Sequence, residues 1–89
     1  MASTLTSDVL QDDIAMSLAR VIAVANSRAH ELGVDAVESL ITITQRPFDS
    51  GLVWRINYGP KDYLGRRGGD LIIEIEPGDV TIKRVMWGQ

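Results

Sequence analysis

The sequence predicts an α+β domain: one long N-terminal helix packed on a curved four-stranded antiparallel meander, in the order α-β-β-β-β. Three observations carry this. Apolar residues recur at steps of three and four from Leu10 to Leu32, the helical period. Gly33 ends that pattern, and the rest of the chain changes to alternation with a period of two. Short Pro- and Gly-containing segments then separate four such runs. At 89 residues the chain is one domain, spanning residues 1–89.

The helix is expected over residues 8–32. Asp8 and Gln11 have the spacing of a capping box, and Asp8, Asp12 and Asp13 place negative charge near the positive end of the helix dipole. Residues 1–6 are small and polar and read as a frayed end. Leu10, Ile14, Leu18, Val21, Ile22, Ala25, Ala29 and Leu32 form one apolar stripe. Ala15, Ala19, Ala23, Ala25 and Ala29 make much of the helix slim enough for close packing. Gly33 suits the left-handed position that closes a helix.

Strands are expected over residues 39–45, 52–58, 70–76 and 80–87. In the second, Leu52, Trp54, Ile56 and Tyr58 share a face, with Arg55 and Asn57 opposite. In the third, Leu71, Ile73 and Ile75 point inward and Glu74 and Glu76 outward, onto a solvated face where Lys83 pairs across the hairpin. Residues 46–51, containing Pro47 and Gly51, read as a turn. Pro77-Gly78 reads as a tight turn with Gly at positive φ. In the last strand the apolar phase slips by one at Lys83-Arg84: either a β-bulge there restores it, or both faces of the sheet are partly apolar and something else covers Val85 and Trp87. Val53 and Ile72 make the outer face partly apolar. Trp87 reads as a cap on one end of the sheet.

Composition bounds the function. Hydrophobic residues make up 45% of the chain and charged residues 24%, as in ordinary globular proteins. The absence of cysteine excludes a disulfide scaffold, thiol chemistry and Cys-ligated metal. With a single His, His30, in the last helical turn, no metal or other cofactor is expected. The net charge of −3 argues against nucleic acid. No apolar run is long enough to span a membrane, and the N-terminus carries Asp8 and no basic region. The expected setting is therefore soluble and cytoplasmic. No serine lies in a nucleophile elbow and there is no phosphate-loop signature, so the expectation is a non-enzyme.

The segment of residues 59–69 is the leading candidate site. It is longer than a hairpin loop requires and gathers Lys61, Arg66 and Arg67 beside Tyr63. Arg and Tyr are anchor residues of interfaces, and these cations suit an acidic partner. The expected function is protein binding, through this loop or a sheet face. Two alternatives are a small-ligand pocket between helix and sheet, and a structural homodimer joined through a strand edge or an apolar outer face. The large inward residues argue for a filled core over a pocket.

Trp54, Gly59, Gly68-Gly69, Gly78 and Gly88 form a spaced pattern across residues 52–88. It resembles the C-terminal part of bacterial immunity proteins with a nuclear-transport-factor-like, cystatin-like fold. The whole chain is also similar to PepSY-type domains, in which a helix precedes a short antiparallel sheet. The first resemblance implies a toxin-neutralising role; peptidase inhibition is a related binding role. Neither resemblance carries a functional residue onto this chain.

Overall fold

A computed structural model describes residues 10–49, 51–60 and 70–88. It contains one helix, α1 (Asp13–Glu31), a single 3-10 turn (Ala36–Glu38), and strands β1 (Ser39–Phe48), β2 (Gly51–Pro60), β3 (Leu71–Glu76) and β4 (Thr81–Trp87). The strands form one antiparallel sheet in the order β1-β2-β3-β4. The architecture is the expected α-β-β-β-β, α+β meander.

The helix begins later than the sequence pattern suggests. Asp12 takes the cap: its backbone is extended and its carboxylate accepts from the Ala15 N–H at 2.9 Å. This satisfies one of the donors that a helix start leaves without an intrahelical partner. Asp8 lies outside the described residues. The C-terminus closes as expected. Gly33 has φ 85°, its N–H donates to the His30 carbonyl at 3.0 Å, and the Val34 N–H donates to the Ala29 carbonyl at 2.8 Å. These two bonds are a complete Schellman motif. Val34 also packs against the core cluster to which Ala29 belongs, so the chain leaves the helix already anchored.

The helix lies over β2 and β3, the two central strands. Val21, Ala25 and Ala29, four residues apart, are fully buried against Ile56, Tyr58, Leu71, Ile73 and Ile75. The small side chains let the backbone approach the sheet, and the large ones come from the strands. The Tyr58 hydroxyl donates to Asn26 Oδ1 at 2.6 Å, tying β2 to the helix. Burial pushes the Tyr58 phenol up to a pKa of about 12, because the phenolate is disfavoured away from water.

Four local expectations are corrected. Arg46, Pro47 and Phe48 continue β1 instead of forming a turn. Pro47 is tolerated because β1 is an edge strand, and Asp49, at φ 53°, starts the reversal. In the β3–β4 turn the left-handed residue is Val80, at φ 54°, not Gly78. The Glu76 carboxylate organises that turn by accepting from the N–H groups of Gly78 (2.7 Å) and Asp79 (3.2 Å). Val80 packs against the core cluster, which offsets a backbone conformation unfavourable for a β-branched residue. Leu52, expected inside, is 53% exposed beside the β1–β2 turn. Trp87, expected as a cap, is 58% exposed on the edge strand β4.

The expected bulge is present. Glu74 opposes Arg84 and Ile75 opposes Ile82, leaving Lys83 surplus. The slip returns Val85 to the inner face, opposite Ile73.

Candidate functional site

The outer sheet face differs most from the sequence-based picture. In place of a solvated pair of glutamates it carries a buried carboxylate beneath arginines. The register places Thr44, Arg55, Glu74 and Arg84 in one row across all four strands. Neighbouring side chains in such a row lie within contact distance. Glu74 is fully buried. Arg55 Nε donates to Glu74 Oε2 at 2.9 Å, and Arg55 Nη2 lies 2.9 Å from the same oxygen. Arg46 Nε is 3.5 Å from Oε2, and Arg84 Nε is 3.1 Å from Oε1. The Arg84 contact is an ion pair without hydrogen-bond alignment, so Oε1 accepts no hydrogen bond among the described residues. Lys83, expected opposite the glutamates, is displaced by the bulge, and Arg84 takes the place.

The apolar side of this surface is Phe48 and Val53. The Arg84 guanidinium sits 5.1 Å from the Phe48 ring centroid, within cation–π range. Val53 is almost completely buried although it faces away from the helix. A cleft of about 320 Å³ opens beside them, lined by Phe48, Leu52, Val53, Glu76 and Lys83, among others. The face thus joins an apolar notch to three guanidinium groups held by one carboxylate. Arg46 and Arg84 keep nearly half of their side-chain surface open. Arginine presents several N–H donors in a planar fork. A group already pinned by Glu74 loses little further freedom on meeting an incoming anion.

The sequence-predicted contact residues Lys61, Tyr63, Arg66 and Arg67 lie outside the described residues. Sequence reasoning missed Arg46, Arg55, Arg84 and Phe48. The bulge at Lys83 was the available signal for Arg84, since it selects which cation faces Glu74. No comparable signal set Arg55 against Glu74. That register is reached across the segment joining β2 to β3, whose length fixes no pairing.

His30 is exposed near the helix C-terminus. Among the described residues no group of three His, Asp or Glu side chains is placed to hold a metal ion, and no helix is long and apolar enough to cross a membrane. The layer between helix and sheet is occupied by Ile56, Leu71, Ile73 and Ile75, all fully buried. No family model, curated protein or solved structure matches the chain.

Proposed function

We propose that the chain is a small non-enzymatic protein-binding module that docks an acidic partner on the outer face of its sheet. The convergence of Arg46, Arg55 and Arg84 on the buried Glu74 supports this reading. Three cations share one carboxylate, two of them remain partly open to solvent, and one of these, Arg84, lies over an aromatic ring. Charge-assisted hydrogen bonds to carboxylates are among the stronger contacts available to an interface, and an aromatic–arginine neighbourhood is typical of interface anchors.

Lys61, Tyr63, Arg66 and Arg67, on the connection from β2 to β3, form a second contact set in the same reading. The resemblance to immunity proteins supports a toxin-neutralising role, with peptidase inhibition as the related alternative.

Calorimetric titration with a glutamate-rich peptide containing tyrosine tests the site. Binding should weaken with salt and fall by at least about tenfold in Arg46→Ala/Arg84→Ala, since each charge-assisted bond contributes roughly a tenfold factor or more. Loss in Arg66→Glu/Arg67→Glu alone would move the site to the connecting segment. Equal affinity in all variants would overturn the reading.

A further inference from the structure

The two edges of the sheet are treated differently. β4 carries Lys83 and Arg84 together with the bulge, devices that keep an edge from pairing with another strand. β1 carries Arg46 and Pro47 only at its C-terminal end, and has no such device along residues 39–45, which read Ser-Leu-Ile-Thr-Ile-Thr-Gln. That run is uncharged, rich in β-branched residues, and free of Gly and Pro. Leu40 and Ile41 are 47% and 40% exposed, and Thr42, Thr44 and Gln45 are exposed as well. Among the described residues β1 pairs with β2 alone. The helix lies, among the described residues, over β2 and β3.

We infer that β1 is the interface between two copies of this chain, paired antiparallel about a two-fold axis at Thr42. The charges at the ends of the strand select both the occupant and the register. Pairing about Thr42 opposes Ile41 to Ile43 of the second copy and Leu40 to its Thr44. It also brings Glu38, the last residue of the 3-10 turn before the strand, to the end of the ladder near Arg46 of the second copy, and the symmetry repeats this approach at the other end. Centring on Ile41 would set Glu38 against Thr44, and centring on Ile43 would set it against Phe48. Among these neighbouring registers, only the one about Thr42 pairs unlike charges at both ends. Glu38 is exposed and Arg46 is 43% exposed, so both can meet a second copy.

The product is a continuous eight-stranded sheet with both helices on the same side. It is an isologous two-fold contact, which closes on itself instead of growing into a filament. The dimer shares Arg46 with the acidic-partner reading, but it is built on the edge of β1, and cysteine cross-linking tests it independently of that reading.

The test is light scattering combined with cysteine cross-linking, in a chain that has no cysteine of its own. The wild type should show twice the monomer mass. Thr42→Cys places the two introduced thiols directly opposite one another, at roughly 4.5–5.5 Å between Cα atoms, within disulfide reach. It should oxidise to a covalent dimer. Leu40→Cys sets the thiols four residues apart along the ladder, beyond that reach, and should not. Circular dichroism of both variants confirms the fold, and Thr44→Lys should yield monomers. A monomeric wild type up to millimolar concentration overturns the inference. A wild-type dimer in which Leu40→Cys cross-links as readily as Thr42→Cys also overturns it.

Discussion

Arg55 holds Glu74 with two nitrogens on one oxygen: Nε and Nη2 both lie 2.9 Å from Oε2. The two residues are direct cross-strand partners, so the backbone ladder fixes the geometry before the side chains choose it. Glu74 is fully buried, and a buried charge is tolerated only when it is paired. The other two arginines stand farther away, are more exposed, or both.

Arg55→Met should therefore be the most damaging change on this face. It leaves Glu74 buried with its best partner gone, and removing one member of a buried pair costs about 3 kcal/mol or more. Arg46→Met removes a 3.5 Å contact from a side chain that is 43% exposed, and should cost under about 1 kcal/mol. Urea denaturation of the two variants checks the order. Equal losses would show that Arg55 does not dominate the cluster.

The helix–sheet contact makes a sharper demand. Ala25 is fully buried between Val21 and Ala29, and the sheet supplies the bulk opposite it. Ala25→Leu should lose about 1–3 kcal/mol by overpacking. Ala23→Leu lies on the exposed side of the same helix and should stay within about 0.5 kcal/mol of the wild type. Thermal melts of the pair suffice.

How much of this was legible in the sequence follows from the range of each interaction. The helix end at Gly33 and the strand alternation depend on near neighbours, and both were readable. So was the bulge, because Val80, Ile82, Val85 and Trp87 break phase within one strand. The helix start was misplaced because several aspartates compete for the cap, and only geometry shows that Asp12 takes it. The Arg55–Glu74 pair joins positions 19 residues apart, across a connection whose length sets no register. Period-two patterning names the face of Glu74, but not its burial. An outward glutamate on a bare sheet and one beneath three arginines have the same pattern.

Deleting Lys83 should be tolerated. Ile82, Arg84 and Val85 would then alternate in, out and in without interruption. Ile82 keeps Ile75, Arg84 keeps Glu74 and Val85 keeps Ile73 as partners. Deleting Val85 instead removes the inner-face partner of Ile73 and puts every later residue on the wrong face. Amide exchange protection of β3 should survive the first deletion and fall in the second. Collapse of protection in both would mean that the curvature added by the bulge is required for folding.

The Tyr58–Asn26 bond gives stability a dependence on alkaline pH whose sign follows from the burial. The folded phenol titrates near 12, against about 10 when unfolded. A raised pKa means that the native state holds its proton more tightly. The contribution is complete below pH 10 and is lost as pH rises toward 12, by at most about 1.4 kcal/mol per unit. Tyr58→Phe removes the hydroxyl that donates to Asn26 Oδ1 at 2.6 Å. It should cost about 1 kcal/mol at neutral pH while abolishing this decline. The two-unit shift is worth up to about 2.7 kcal/mol, more than the bond itself, so the wild-type denaturation midpoint should fall to that of the variant above pH 10 and drop below it before pH 12. Parallel curves over that range would show that the phenol is not held in its neutral form by the fold.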